Sequence, residues 1–250
     1  MEVHHHPDLH HRKKKWKEYL LEFLMIFLAV TLGFFAETIR EKISEKHREN
    51  DYIVGLINNI QSDTSDLTGL INRNDLELSG IDSIMKISKK DFLSLSVQDS
   101  IFYYGLRYTF NLHLFQFNDL TLVQLRNAGG YSLIKTSRVA DSIALYESKN
   151  NDIKIQERFV IDNFVQTMTS FKQILDITLT NKFFQEYETK KRIPSGMYVL
   201  ISKDEDKMYL LYNNYWIYKG TLSGYNIKLK EHLEYLTGFI KFLKRNYDIE

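Results

Sequence analysis

Five histidines crowd the start of the chain: His4, His5, His6, His10 and His11. Each neutral imidazole offers a nitrogen donor, so a cluster of them can hold a divalent metal. No carboxylate-rich second half of a site accompanies them. They read as a flexible tail with incidental metal affinity, and no metal or cofactor is assigned to the chain. Two acids, Glu22 and Glu37, bracket an apolar run. Ionisable groups inside a membrane are costly and often mark ion pathways, which would suit a stator-like, ion-conducting subunit. Both acids lie within a turn of the ends of the run, where a carboxylate reaches water at the headgroup boundary, and that reading is preferred. Asp63 and Asp66, spaced i, i+3, share a helix face and could bind a cation, although paired acids usually belong to a solvated face. Gly129-Gly130 with Lys135 nearby is a weak phosphate cradle, because the G-x-x-x-x-G-K-[ST] pattern is absent. His47, His113 and His232 are far apart in sequence. His113 stands in an aromatic stretch (FNLHLFQF) that suits a core or pocket-wall residue.

No H-E-x-x-H, G-x-S-x-G or EF-hand pattern occurs, and there is no cysteine for a disulfide, a thiolate metal site or a nucleophile. Lysine and arginine total 33 against 32 acids, which leaves no net field to attract nucleic acid. A chain of 250 residues with 44% hydrophobic side chains is globular rather than disordered. The only prolines are Pro7 and Pro194, so residues 8–193 have none. That favours long helices over a sandwich with many turns.

The elements that must carry these residues are therefore helical. Phe23–Ala36 (FLMIFLAVTLGFFA) is uncharged, and extending it to Leu20–Ile39 gives about 30 Å of helix, the thickness of a hydrocarbon core. A cleaved signal would want small residues at −3 and −1, but cutting after Ala36 places Phe34 at −3, so a retained anchor is expected. Arg12, Lys13, Lys14, Lys15 and Lys17 precede the span, with Trp16 and Tyr19 as interfacial aromatics. This predicts a cytosolic histidine-rich and basic tail over 1–18, a transmembrane helix over 19–39, and a periplasmic helical domain over 40–250.

After the span, Ile53, Ile57, Ile60, Thr64, Leu67, Ile71, Asn74, Leu78, Ile81 and Met85 alternate by fours and threes. They form a heptad seam that fits either a dimerising stalk or a core helix of a monomeric bundle. A second long helix is expected from Ser137 to about Leu179, its seam including Ile143, Tyr146, Asn150, Ile153 and Glu157. These two long helices could pack antiparallel as the frame of an elongated, coiled-coil-like all-α bundle. Shorter pieces fit between them: a cap at Ser96 before Ile101–Phe110, and a capping box at Thr121 with Gly129-Gly130 as its stop. Near 189–197 Pro194 and Gly196 mark a loop, and Lys207–Lys219 and Tyr225–Arg245 read as two further helices.

The segment Asn118–Glu147 resembles an uncharacterised family of single-span membrane proteins, mostly from Bacteroidota. The residues that carry the likeness are Leu125, Gly129, Gly130, Leu133, Ile134, Lys135, Asp141, Ser142, Ile143 and Tyr146, together with the layout from Glu22 to Gly33. The resemblance implies the topology and a helical fold, and it supplies no catalytic residues. Physically the motif is a helix–turn–helix corner: a glycine as left-handed cap, Leu133 and Ile134 as core plugs, Thr136 or Ser137 as the next cap.

The function expected from these features is that of a non-enzymatic scaffold or accessory subunit of an envelope complex, anchored in the inner membrane. Its partners would be the lipid bilayer and either another protein or a second copy of itself. A periplasmic sensor that takes a small molecule or lipid in an aromatic groove is the alternative, with Tyr209, Tyr212, Tyr215, Trp216 and Tyr218 as groove candidates. The ion-conducting subunit comes third.

Overall fold

The computed structural model of the chain describes residues 15–87, 91–127, 129–190 and 200–249, the side chains of 186–190 excepted. The five tail histidines, Arg12, Lys13, Lys14, Pro194 and most of the expected loop near 189–197 lie outside the described residues. The fold is all-α: α1 (Trp16–Met85), α2 (Leu95–Tyr108), α3 (Leu120–Asn127), α4 (Ser137–Lys172), α5 (Thr180–Lys190) and α6 (Glu205–Asn246). Two short 3-10 turns, Gly130–Leu133 and Ile177–Leu179, complete it, and no strand occurs among the described residues. The residues divide between two units, Met1–Asp51 and Tyr52–Glu250.

The first unit is helical from Trp16. It contains an 18-residue window of mean hydropathy 2.1, none of it buried, which is long and apolar enough to cross a membrane by length and composition. Trp16 and Tyr19 are exposed at its start. Thr38 closes its own hydroxyl onto the Phe34 carbonyl at 2.8 Å, so a polar side chain near the end of the run needs no partner outside the helix.

The second unit is organised around α6. Its buried positions Met208, Leu211, Tyr215, Tyr218, Leu222, Tyr225, Leu229, His232, Leu236, Phe239 and Leu243 repeat by threes and fours over the helix length. Partners on α1 and just past its end descend as α6 ascends: Tyr212 reaches the Ile87 carbonyl, Tyr218 reaches Glu77, and Asn226 reaches Asn74 and Asp75. Partners on α4 descend in the same way, from Ser170 and Thr167 beside Asn214, through Glu157 at Tyr225, to Ser142 at Tyr235. Helix α6 thus runs opposite to both α1 and α4, and these two run in the same direction. The expectation that α1 and α4 pack antiparallel to each other is therefore corrected: each is antiparallel to α6, whose tyrosines reach polar groups on both long helices.

The seam of α1 is filled from within the chain. Ile53, Ile57, Ile60, Leu67 and Ile81 are buried, Asn74 with them, so these positions serve as a core face rather than as a free stalk. Four local expectations change. Helix α2 begins at Leu95 with Ser94 at the cap position, so Ser96 lies inside the helix and is not its cap. Helix α4 stops at Lys172, because Leu175 forms an isolated antiparallel bridge with Leu200 and the Asp176 side chain accepts from the Thr178 amide at 2.9 Å, capping the next turn. The two C-terminal helices are one, since Leu222 continues the buried stripe between Tyr218 and Tyr225, and Asp204 caps the start through the amides of Asp206 and Lys207. Thr121 is not a cap. Helix α3 begins one residue earlier, and the Thr121 hydroxyl accepts from the Asn59 side-chain amide at 2.9 Å, tying α3 to α1.

Close approach fixes one glycine in the core. A Cβ at Gly105 would stand 2.3 Å from Cε2 of Phe171, a fully buried ring. Gly105→Ala is expected to destabilise the fold by about 1–3 kcal/mol through overpacking. Gly220→Ala, where a Cβ meets nothing within 4 Å, is expected to stabilise it by roughly 0.5–1 kcal/mol. Thermal melts followed by circular dichroism compare the two directly; equal melting temperatures would contradict the packing at Gly105.

Candidate functional site

Gly129 is left-handed (φ 64°), and the Ser132 hydroxyl returns to its carbonyl at 2.7 Å. Gly130 packs so tightly that a Cβ would lie 2.9 Å from the Leu125 carbonyl oxygen. Leu125, Leu133 and Ile134 are buried, and Thr136 starts α4 by backbone alone, with no side-chain cap bond. Ile143 and Tyr146 point into the core, whereas Lys135 and Asp141 are exposed. Lys135 folds back toward the Ser132 carbonyl at 3.4 Å. The motif therefore positions a core, and its two glycines serve the turn.

Glu37 pairs with Arg40, both side chains exposed, and Glu22 is half-buried. Asp63 and Asp66 part company despite their spacing. Asp66 is exposed, while Asp63 is fully buried, accepting the Asn118 amide at 3.0 Å and the Tyr146 hydroxyl at 3.4 Å. Among the described residues no three histidine, aspartate or glutamate side chains gather as a metal site. Of the aromatic candidates, Tyr212, Tyr215 and Tyr218 are core residues; only Tyr209 and Trp216 face outward.

The interior instead holds a series of carboxylates met by tyrosine hydroxyls. Tyr218 donates to Glu77 at 2.6 Å, and Tyr225 donates to Glu157 at 2.6 Å, where the Phe115 amide also donates at 3.0 Å. Asp63 with Tyr146 is a third such pair. Burial pushes Asp63 up to about 6 and Glu77 up to about 7, with the hydrogen bonds from Asn118 and Tyr146, and from Tyr218, pulling the other way. The tyrosines are pushed up as well, Tyr218 and Tyr225 by burial first and by their carboxylates second. Sequence inspection marks one member, since Glu157 and Asn150 sit on the seam of α4 among apolar residues. Glu77 lies one position off the α1 seam and carries no such signal.

A surface feature accompanies this interior. On one side of the α4–α6 pair runs an apolar hollow of about 280 Å³, lined by Ser142, Leu145, Tyr235, Gly238, Phe239 and Phe242. A polar hollow of about 220 Å³ involves Lys149, Asp152, Gln156, Lys228, Glu231 and His232. The ring of His232 is 4% exposed, stacks near Tyr146 and Tyr235, and leaves Nε2 without a hydrogen-bond partner. Burial and the neighbouring Lys149 hold it down to about 4, so the imidazole is neutral near pH 7.

The chain matches no family model, no curated protein and no solved structure.

Two consequences of the buried acids are measurable. Glu77 keeps its proton in the folded state to about pH 7, whereas the unfolded chain releases it near 4.5. Its stabilising contribution is complete below 4.5 and is lost as pH rises through 7. Relative to wild type, Glu77→Gln should gain about 1.4 kcal/mol for each pH unit climbed between those two values. Urea denaturation at stepped pH reads this, and a pH-independent difference would refute it. Tyr225→Phe removes one of the two donors at Glu157 and should cost about 1–3 kcal/mol in the same assay.

Proposed function

We propose that this chain is a non-enzymatic, single-span membrane protein whose helical domain serves as a scaffold or accessory subunit of an envelope complex. The observation that carries the reading is the apolar window of α1, with 0% of it buried by the rest of the chain. An apolar surface of that length requires either lipid or protein to cover it. Lys15, Lys17, Trp16 and Tyr19 at its start fit a cytosolic boundary, which supports a reading with the domain on the periplasmic side of an inner membrane. Glu37 beside Arg40 fits the opposite headgroup boundary better than an ion pathway, because the pair neutralises itself near water.

The domain on this reading is an antiparallel helical bundle with coiled-coil-like long helices, as the three-and-four repeat on α6 and its facing partners on α4 support. Its interior acids are satisfied by tyrosines that fix packing, which suits a rigid module presenting surfaces. The likeness of Asn118–Glu147 to single-span proteins of unknown activity agrees with this.

The absence of cysteine makes the topology testable. Ser148 is exposed on α4, so Ser148→Cys provides a sole thiol. A membrane-impermeant maleimide should label it in spheroplasts without lysis; labelling only after lysis would put the domain in the cytoplasm and overturn the orientation. Light scattering after purification in mild detergent should find a complex larger than one chain, and a monomer alone would overturn the scaffold reading.

A further inference from the structure

Helix α6 carries a second stripe besides the one it buries. Tyr209, Asn213, Trp216, Gly220, Ser223 and Ile227 repeat by fours and threes on the side away from the core, with Leu210, Ile217 and Gly224 beside them. From Met208 to Ile227 the only charged residue is Lys219, and it turns to Asp82 on α1. The stripe itself therefore holds no charge over about 27 Å of helix. Either side of it the same helix is charged: Glu205 and Asp206 precede it, and Lys228, Lys230, Glu231 and Glu234 follow. A helix face that meets only water ordinarily carries such groups along its length. A face depleted of charge and furnished with rings has the composition of an interface centre.

The size of the patch bears on its occupant. Trp216 is 63% exposed, and Tyr209, Leu210, Ile217 and Ile227 are each about half exposed. On α4, Gln156 is the side chain nearest Gly224, 3.8 Å from where a Cβ would stand, and Phe159 one turn further on is also about half exposed. Because α4 and α6 run oppositely, Phe159 comes level with Gly220. At on the order of 100 Å² of open surface apiece, these side chains offer roughly 600 Å². That matches the upper end of the largest apolar patch on a monomer, ~300–600 Å². With the asparagine, serine and glycines between them, it approaches the ~800 Å² that each partner gives to a standard interface.

The stripe also complements itself. A Cβ at Gly220 would meet nothing within 4 Å, so the helix surface is low there, one turn after the projecting ring of Trp216. In a two-fold pair, contact of residue i with j implies contact of j with i. An axis between these two positions lets the Trp216 ring of each copy cover Gly220 of the other, so ring and seat both come from one stripe.

We propose that α6 binds a second copy of this chain through the stripe from Tyr209 to Ile227, forming a two-fold dimer in which the Trp216 ring of each copy lies on Gly220 of the other. This names an occupant that the scaffold reading leaves open, and it does not rest on that reading, since the stripe lies wholly within the second unit. The full chain in mild detergent provides the test. Light scattering over a concentration series should reach twice the mass of one chain. Gly220→Cys, as the sole thiol, should crosslink copy to copy with a short bismaleimide, whereas Ser132→Cys at the glycine corner should not. Trp216→Glu and Ile227→Glu, both at exposed positions, should each raise the dimer dissociation constant at least tenfold and abolish the Gly220→Cys crosslink. Leu76→Glu, at an exposed leucine on α1, should change neither. Circular dichroism accompanies each variant, so a loss of association in an unfolded protein is not counted. A wild type that stays monomeric at every concentration, or a dimer that both folded glutamate variants leave intact, would overturn the proposal. So would a Gly220→Cys thiol that crosslinks to a different protein, or one that lipid vesicles shield while the chain stays monomeric. A larger complex without the copy-to-copy crosslink would end the dimer and leave the scaffold reading standing.

Discussion

Taking a carboxylate out of water without a cation beside it costs several kcal/mol unless the group is protonated or well hydrogen-bonded. This chain buries Asp63, Glu77 and Glu157 and answers each with a tyrosine hydroxyl. A tyrosine carries its donor at the tip of a rigid ring, so the distance it spans is set. Tyr218 and Tyr225 stand two turns apart on α6 and reach different helices, Glu77 on α1 and Glu157 on α4. Sliding α6 by one turn against both neighbours would strand two hydroxyls and two carboxylates together. The register of the three long helices is thereby specified by polar pairs, while the surrounding isoleucines, leucines and rings supply most of the burial energy. The two hollows beside the α4–α6 pair inherit their geometry from the same register.

Much of the helical layout is legible in the sequence because heptad spacing is a property of the chain alone. The seams of α1 and α4, the glycine corner at Gly129-Gly130 and the apolar N-terminal run all follow from local pattern. What local pattern lacks is the identity of the partner. Nothing in the spacing of α1 and α4 distinguishes packing on each other from packing on a third helix. Among the deciding residues, Tyr212, Tyr215 and Tyr218 also fit an aromatic groove when read from the sequence, although packing between helices is the commoner use of such rings. Leu222 is the sequence clue that α6 continues through its glycines. The early end of α4 depends on Leu200, a residue distant in sequence, and so is out of reach of local pattern.

The candidate site is less legible, for a related reason. Glu157 announces itself as an acid on an apolar seam, yet Asp63 reads as half of a solvated pair with Asp66. Only tertiary structure places the Asn118 amide and the Tyr146 hydroxyl around it. His232 is one of three scattered histidines in the sequence. Its meaning arises from Lys149 on another helix and from the rings of Tyr146 and Tyr235 that enclose it.

The buried histidine and the buried acids also answer acidity in opposite directions. His232, held down to about 4 against an ordinary 6.5, contributes stability above 6.5 that drains away as pH falls toward 4. Asp63 and Glu77, raised to about 6 and about 7, contribute theirs on the acid side and surrender it as pH climbs through those values. The windows overlap, so over mildly acidic pH the histidine's response subtracts from that of the two acids. One imidazole stands against two carboxylates, so the cancellation is partial: the core answers acidity with the difference between opposed titrations, a weaker response than the acids alone would give.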